Sequence, residues 1–424
     1  MKTSLGKNFY MYSLGQMVSS LGDTTAYLSL SWWVLQKTGS GLQFAMLLAP
    51  VAAIQIFLQP LLGPLIDRYS RKHIMIIADI LRMLTSAAAF LMIYLDHFNL
   101  SWLIAIACLG AVFTAMFEAS VAGLTRFIVK EEVVSSAFQV SQMVSGFKAF
   151  LNPALSGVLV SLLGPGFGTL FNLLTYGIAL FCNIQLNLYH QKLISRTNSF
   201  CEGVSMWWSD LKNGFLSLAK VHVILGALLL SGLFQFLFSH LAVTLPVMIL
   251  KEQHLAPWHL GLLEASIGVG AIIGALTARL GHRILPGRAL WMASFIAAGL
   301  GVLLLGLGLS ISSSIVGLIL MMVVQTWLNI QFQTKVSLAI PPEYQGRVFS
   351  FMGLITTGLL PLGLAFAGGL AEKFSAATVI SVSGVVCLAL FPVVLLIPRL
   401  HDFLSSSHED VQGFIKKTYP EAFL

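Results

Sequence analysis

Twelve long apolar stretches dominate this sequence and restrict its fold more than any other feature. A helix needs roughly 20 mostly apolar residues to cross the hydrocarbon core of a bilayer. The stretches, numbered as spans 1 to 12, lie near 9–35, 42–65, 74–95, 102–125, 137–162, 167–188, 222–250, 259–280, 289–310, 312–334, 348–371 and 376–398. Only 10% of the 424 residues are charged, whereas soluble domains have about 25%. We therefore expect an all-α membrane protein with twelve transmembrane helices, and an ordinary soluble enzyme is excluded.

The basic residues are distributed unevenly over the loops that these spans define. If the N-terminus lies in the cytoplasm, 19 of the 24 Lys and Arg residues fall on the inner side and 3 on the outer side, while Arg82 and Lys148 lie within spans. Short loops rich in Lys and Arg stay on the cytoplasmic side. We therefore predict a multi-pass protein of the plasma (inner) membrane with both termini cytoplasmic. The same topology accounts for the net charge of +7, so no nucleic-acid partner is expected.

The longest connection divides the spans into two sets of six. It is mostly polar, but it contains apolar residues at helical spacing that predict an interfacial helix on the inner leaflet. These residues are Met206, Trp207, Trp208, Leu211, Phe215 and Leu218. The predicted organisation is an N-terminal six-helix bundle over 1–188, a cytoplasmic linker over 189–221, a C-terminal six-helix bundle over 222–399 and a cytoplasmic tail over 400–424.

The two sets of spans carry traces of an internal repeat. The loop after span 2, at 63–72, matches 274–283 after span 8 in its Gly, Leu, Arg and final basic residue, at an offset of 211 residues. The same offset relates Glu132 to Glu343. Self-similarity at a fixed offset indicates repeated structural units. We therefore expect two pseudo-symmetric bundles, and parallel repeats of this kind place a binding site between them near the bilayer midplane.

The loop at 63–72 resembles the G-x-L-x-D-R-x-G-R-K/R signature of the major facilitator superfamily, with Ser70 in place of the second Gly. The stretches 21–40 and 341–350 are similar to the branch of that superfamily with macrolide-efflux-type and enterobactin-exporter-type proteins. The resemblance implies the major facilitator fold, alternating access and a central cavity lined by helices 1, 4, 7 and 10. The arginine motif that many proton-coupled drug antiporters carry in helix 4 is missing from this sequence.

Polar and ionisable residues inside the spans are the candidates for proton or substrate binding, because such residues are costly there. They are Asp23, Tyr27, Glu118, Lys148, Gln235, His240, Gln325 and Asn329. A carboxylate that loses hydration favours its protonated form, so Asp23 and Glu118 are candidate coupling residues. Two alternatives stay open: Lys148 forms a structural ion pair with one of these acids, or it holds an anionic group of the substrate. His240 also fits a role in helix packing, and Glu264 is expected to be water-exposed near the outer end of span 8.

A second group of residues is expected to form a conformational latch near the inner ends of the spans. Its members are Gly63, Asp67, Arg68, Arg71, Asp79, Arg82, Gly346 and Arg347. The resemblance implies that Asp67 accepts hydrogen bonds from the N–H groups that open helix 11 after Gly346, since negative charge is stabilised at a helix N-terminus. The loop arginines are expected to pair with inner acids and lipid phosphates. Asp79 and Arg82, at i and i+3 in span 3, predict an intrahelical ion pair.

These features together predict a secondary active transporter that exports an amphipathic small molecule, drug-like or siderophore-like, by proton-coupled alternating access. An importer of a metabolite or siderophore, and a lipid flippase on the same fold, are the alternatives. An enzyme is disfavoured because the ten His residues are scattered, no HExxH or P-loop motif occurs, and the four Cys residues have no CxxC spacing. We expect no metal and no cofactor, H⁺ as the coupling ion, membrane lipids as further partners, and a monomer.

Overall fold

The computed structural model describes residues 5–66, 69–122, 124–187 and 218–406, together with positions 205, 208–209, 212, 216, 411, 414 and 418–419. These residues contain no β-strand, which confirms the all-α class. Their α-helices are α1 Lys7–Thr38, α2 Gly41–Ile66, α3 Arg71–Tyr94, α4 Leu100–Val121, α5 Thr125–Ile128, α6 Val134–Ile184, α7 His222–Ser239, α8 Leu241–Pro246, α9 Pro257–Ile284, α10 Arg288–Gly306, α11 Ile311–Ala339, α12 Pro342–Thr357, α13 Leu360–Lys373, α14 Ala376–Leu390 and α15 Leu400–Ser405. A π-helix, Val247–Glu252, follows α8, and 3-10 turns cover Glu131–Val133 and Phe391–Leu396.

Ten helical stretches in the described part of the chain are long and apolar enough to cross a membrane. One of them, Ser136–Ile184, has 49 residues, which at about 1.5 Å per residue is more than twice the ~30 Å of a hydrocarbon core. The 32-residue helix α1 is not among the ten, because its polar residues lower its mean hydropathy. Most of the predicted interfacial helix of the linker lies outside the described residues.

The long helix α6 is broken at Gly164. The backbone there has a φ of 80°, a left-handed conformation that favours glycine. The next residue is Pro165, which has no N–H to donate and is suited to restarting a helix. We therefore treat α6 as two arms, 134–163 and 165–184.

Contacts with α1 give the direction of these two arms. Along the first arm, Asn152 donates to Ser20 at 3.1 Å and the Ser156 hydroxyl lies 2.7 Å from that of Thr25, so the two helices ascend together. Along the second arm, the close approaches occur in reverse order, at Gly15 with Ala179, Gly22 with Thr175 and Ser29 with Gly168. The two arms of α6 therefore run in opposite directions, and the chain reverses at the break.

The residues Met1–Val204 and Leu245–Ala265 form one compact unit, unit 1. In it α1 packs against both arms of α6, α3 packs against α4 and α6, and α2 packs against α4. A hydrophobic core at one end of the unit contains the buried side chains Phe9, Met75, Phe117, Leu124 and Ile128. This packing brings the polar faces of α1, α3, α4 and α6 together, which positions the candidate site.

The segment Leu245–Ala265 comes from the second half of the sequence but packs within unit 1. A Cβ on Gly157 would lie 2.9 Å from the Cα of Gly261 and 3.1 Å from the Cα of Trp258, so the backbones of α6 and α9 touch. Small residues permit such close helix contact in membranes. The backbone N–H of Trp258 donates to Ser161 at 2.8 Å. The first arm of α6 therefore satisfies a free N–H at the start of α9.

Unit 2 consists of Ser205–Thr244 and Ser266–Leu424. Its helix α10 packs against α11 and α14, and α7 packs against α12 and α13. The fully buried Trp291 of α10 lies edge-on to Phe332 of α11, with ring centroids 5.3 Å apart. Unit 2 therefore has its own hydrophobic core, as a separate helical bundle requires.

Helix α15 continues the fold beyond the last apolar stretch. Its residues Leu400 and Phe403 are buried, and the helix contacts α7, α10 and α11. The Nζ of Lys335, near the end of α11, donates to the carbonyl of Ser406 just after α15. The region predicted as a cytoplasmic tail thus begins with a helix docked on unit 2.

Candidate functional site

Three helices of unit 1 place a buried arginine between two aspartates. Arg82 of α3 has only 3% of its side chain exposed. Its Nη2 lies 3.1 Å from Oδ2 of Asp23 on α1, and its Nη1 lies 3.4 Å from Oδ1 of Asp79, one turn earlier on α3. With Tyr176 and Asn183 of α6 these residues form what we name the Arg82 cluster. Buried charges in a span are tolerated when they are paired with one another.

Asp79 is the fixed end of the cluster. Its side chain is completely buried, with 0% exposed. Nδ2 of Asn183 donates to its Oδ2 at 2.7 Å, while Arg82 donates to its Oδ1. Hydrogen bonds to an ionised acceptor are stronger than neutral ones, so Asp79 is held from two helices. The structure contains the intrahelical pair that the i, i+3 spacing predicts.

Asp23 is the accessible end of the cluster. Its side chain is 42% exposed, although Arg82 donates to Oδ2 and the hydroxyl of Tyr176 donates to Oδ1. Both carboxylate oxygens therefore have donors inside the protein while the group still reaches the surface of unit 1.

Two aromatic rings lie against the guanidinium of Arg82. Its Cζ lies 4.6 Å from the ring centroid of Phe117 on α4 and 4.2 Å from that of Tyr176. Cations are attracted to ring faces at such distances, most strongly where water is excluded. Among the described residues, the buried Nε of Arg82 and Oδ1 of Asn183 have no hydrogen-bond partner. The cluster is therefore firmly positioned but not fully satisfied, as is common at functional sites.

Glu118 and Lys148 border the Arg82 cluster. Glu118 of α4 is exposed and interacts electrostatically with Arg82, Asp23 and Lys148, while Tyr12 of α1 interacts with Glu118. Lys148 of the first arm of α6 is half-buried and interacts with both acids. Among the described ion pairs, however, the partner of Asp23 is Arg82. No ion pair between Lys148 and either acid is among those described, so the alternative of a direct Lys148 pair stays a prediction.

Tyr27 lies on α1 one turn beyond Asp23 and is half-buried. It interacts electrostatically with Glu264 of α9, which belongs to the part of α9 in unit 1. Glu264 is half-buried, not water-exposed as the sequence led us to expect. The packing of Leu245–Ala265 against unit 1 explains this difference.

Three of the predicted cavity residues lie on α7 and α11 of unit 2. Gln235 and Gln325 are half-buried, and Asn329 is exposed. Oε1 of Gln325 is buried without a hydrogen-bond partner among the described residues. These three side chains are neutral amides.

His240 is buried in unit 2 between two hydroxyl groups. Its Nδ1 lies 3.0 Å from Oγ1 of Thr244 and its Nε2 lies 2.7 Å from Oγ of Ser383 on α14. These contacts match a role in helix packing. Beside His240 is a groove of about 300 Å³, lined mainly by apolar residues that include Phe236, Leu237, Phe366, Leu370, Phe374 and Val382.

Two basic residues of the loop signature hold helix ends within unit 1. A guanidinium nitrogen of Arg71 donates to the carbonyls of Ser120 and Ala122 at the end of α4. Nζ of Lys72 donates at 2.7 Å to the carbonyl of Leu186, just beyond α6. Cations are favourable at helix C-termini. The guanidinium of Arg71 also lies 5.9 Å from the ring centroid of Phe127, and its expected pairing with inner acids and lipid phosphates stays a prediction.

The rest of the predicted latch stays a prediction. Asp67 and Arg68 lie outside the described residues. The backbone of Gly63 belongs to α2, and that of Gly346 and Arg347 belongs to α12, while the side chain of Arg347 lies outside the described residues.

The sequence did not point to the residues that complete the Arg82 cluster. Tyr176 and Asn183 lie in an apolar stretch, and Phe117 is one of many aromatic residues. A signal was present, since Asn172, Tyr176 and Asn183 lie at i, i+4 and i+11 and share one helix face. Which helix this face meets depends on packing that one sequence does not fix.

Helices long enough to cross a membrane many times, with a paired cluster of charges on an accessible face, define an integral multi-pass membrane protein of the transporter class. The chain belongs to the Major Facilitator Superfamily, whose family model matches residues 12–361. It is therefore a transporter and not an enzyme.

Relatives of this chain include proteins named for efflux. The chain is 25% identical to Macrolide efflux protein A of Streptococcus pyogenes over 396 residues, which cover 90% of this chain and 94% of the relative. It is 24% identical to Multidrug efflux pump Tap of Mycolicibacterium fortuitum over 415 residues, which cover 91% and 94% of the two chains.

Solved structures share the fold at lower identity. The nucleoside transporter NupG is 12% identical with a TM-score of 0.69, covering 92% of this chain and 99% of that one. A bacterial homologue of the iron transporter ferroportin, in an inward-facing state, is 18% identical with a TM-score of 0.66, covering 92% and 99%. A peptide transporter POT is 13% identical with a TM-score of 0.71, covering 94% and 96%. At this identity the likeness concerns the fold alone.

Proposed function

We propose that this protein is a proton-coupled exporter of amphipathic small molecules that works by alternating access. The observation that carries the proposal is Asp23, a carboxylate inside a span that is partly exposed and held by a buried arginine. An ionisable group at membrane depth indicates a pathway for ions or substrate. Two relatives are named for the efflux of macrolides and of multiple drugs, which supports export as the direction of transport and an amphipathic drug-like molecule as the substrate.

We also propose the finer topology. The ten membrane-crossing stretches become twelve if α1 crosses once and the two antiparallel arms of α6 cross separately. Two bundles of six helices, with both termini on the cytoplasmic side of the plasma membrane, follow from the loop charges. A monomer is sufficient for this arrangement.

The proposed coupling is a competition for Asp23. With Asp23 ionised, a cationic or amphipathic substrate can bind near it and near Glu118. With Asp23 protonated, this attraction is lost and the substrate is released on the other side. The coupling ion is then H⁺, and no cofactor takes part.

Proteoliposomes with an imposed pH gradient test the proposal. We expect inside-out vesicles with an acidic lumen to accumulate a labelled macrolide or an amphipathic cation. The Asp23→Asn variant should lose at least 10-fold of the gradient-driven rate, because its side chain carries no exchangeable charge. Asp96→Asn is the matched control, since Asp96 is exposed and pairs with Lys37 at 2.6 Å.

Three outcomes would count against the proposal. Equal transport without a gradient, or in a variant with both Asp23→Asn and Glu118→Gln, removes proton coupling. Gradient-driven movement in the opposite direction makes the protein an importer. If Lys148→Ala abolishes the binding of an anionic ligand but not that of cations, a siderophore or metabolite is favoured as the cargo.

A further inference from the structure

We propose that Asp79 is a positioning residue that serves as a second counter-ion for Arg82, so that Asp23 can gain and lose a proton without leaving a buried cation unpaired. This inference rests on the proposed function for its biological purpose. The physical claim about the three side chains does not depend on transport.

The guanidinium of Arg82 is shared between two carboxylates in different surroundings. With only 3% of the side chain exposed, it has almost no water to stabilise its charge. A buried cation without a partner is strongly unfavourable. Asp23 supplies one partner at 3.1 Å and Asp79 supplies the other at 3.4 Å.

Only one of the two carboxylates is placed to exchange protons. Asp23 is 42% exposed, whereas Asp79 is 0% exposed and lies between Arg82 and Asn183. Asp79 also shares helix α3 with Arg82, so no movement of α1 can separate them. When Asp23 is protonated, Arg82 therefore keeps a counter-ion on its own helix.

The rings around Arg82 support the same assignment. The rings of Phe117 and Tyr176 both lie against the guanidinium, and these contacts hold it in place. A confined cation needs a fixed anion if its second anion is neutralised periodically. Asp79 has the geometry of that fixed anion.

The other groups near Asp23 do not replace Asp79. Tyr176 from the second arm of α6 donates a neutral hydroxyl to Asp23. Glu118 of α4 and Lys148 of the first arm interact with Asp23 or Arg82 electrostatically, but neither forms an ion pair with them among the described residues. In the part of the chain that the structure describes, the ion-pair partners of Arg82 are Asp23 and Asp79.

Infrared titration of the purified full-length protein in detergent tests the inference without any substrate. The carbonyl band of a protonated carboxyl that is absent in Asp23→Asn reports on Asp23. In Asp79→Asn we expect the midpoint of this band to move to lower pH by about one unit or more, a tenfold change in proton affinity. The reason is that Arg82 then pairs with Asp23 alone and opposes its protonation. Asp79→Glu should keep the original midpoint, and an unchanged midpoint in Asp79→Asn overturns the inference.

Thermal unfolding provides a second measurement in case Asp79→Asn does not fold. Asp23→Asn imitates protonated Asp23, and Asp79 still compensates Arg82 in that variant. We therefore expect Asp23→Asn to unfold close to the temperature of the Asp96→Asn control, and the double variant Asp23→Asn with Asp79→Asn to lose its folded form. If Asp23→Asn alone is as unstable as the double variant, Asp79 does not act as a sufficient counter-ion. If the infrared and unfolding results are as expected but the protein does not transport, the proposed function is contradicted and this inference still holds.

Discussion

The two units accommodate buried polar groups in different ways. Unit 1 buries Arg82 and Asp79 as ions and brings Asp23 to them at an accessible surface. Unit 2 buries His240 between two neutral hydroxyls. A hydrogen-bonded neutral group is tolerated in an apolar interior, whereas a charge needs a paired partner. The difference indicates that ion chemistry belongs to unit 1 and that unit 2 contributes shape and neutral hydrogen bonds.

One buried cation of unit 2 sharpens this contrast. Lys335 is 6% exposed, but it lies near the end of α11 and donates to the carbonyl of Ser406. It therefore holds the docked α15 helix. Arg82, by contrast, lies within the membrane-crossing part of α3, where the side chains of Asp23 on α1 and Asp79 on α3 itself pair with it.

The repeat offset of 211 residues makes the comparison direct. At that offset Asp23, Asp79 and Arg82 correspond to Phe234, Leu290 and Ala293. Leu290 is fully buried and Ala293 is half-buried. If the two halves share an ancestor, one half has acquired the charges or the other has replaced them by apolar side chains. Either change must involve several positions together, because one member alone would be left unpaired.

The largest effect should come from removing the central cation. Arg82→Met leaves Asp79 buried beside a neutral side chain, and breaking a buried ion pair in this way costs about 3–5 kcal/mol. We expect the variant to lose most folded protein, as measured by yield and by thermal unfolding in detergent. Arg82→Lys should lie between this variant and the wild type, since it keeps the charge but not the planar pair of donors. If the Arg82→Met protein is stable, unit 1 does not depend on its buried ion pairs, and the proposed difference between the two units is wrong.

The sequence predicts most of the architecture because hydrophobicity operates locally. Nearly every predicted span has a matching helix, since twenty apolar residues in lipid can satisfy their backbone only as a helix. The break near Gly164 was predicted from the gap between spans 5 and 6, and the structure contains it. The inclusion of Leu245–Ala265 in unit 1 could not be predicted, because it depends on glycine contacts between distant segments.

The candidate site was predicted only in part. The cost of burying a charge singled out Asp23, Glu118 and Lys148 as residues that need a partner. It did not identify the partner, so Arg82 was assigned to an inner structural pair while the structure also joins it to Asp23. Pairing depends on the rotation of each helix, and a single sequence constrains that rotation weakly.

A smaller effect is expected at the neutral centre of unit 2. His240→Gln retains one hydrogen-bonding side chain in place of two ring nitrogens, so it should cost about 0.5–1.5 kcal/mol, the net value of one hydrogen bond. We expect a modest decrease in unfolding temperature and no change in the pH dependence of transport. His97→Gln is the control, since His97 is exposed. A shifted pH profile in His240→Gln would show that unit 2 also takes part in coupling.

The smallest effect should come from Arg71, whose charge stabilises unit 1 at a helix end and not within the Arg82 cluster. Arg71→Ala removes the donors to the carbonyls of Ser120 and Ala122, and a cation at a helix C-terminus contributes about 0.3–1 kcal/mol. We expect a slight decrease in unfolding temperature that diminishes in high salt, with an unchanged infrared midpoint for Asp23. Lys72→Ala, which removes the equivalent contact after α6, should behave alike. If Arg71→Ala instead abolishes transport while the protein stays folded, the basic loop takes part in the conformational cycle, as the predicted latch requires. The charged residues of unit 1 would then have two functions, proton coupling in the Arg82 cluster and conformational control at the loop.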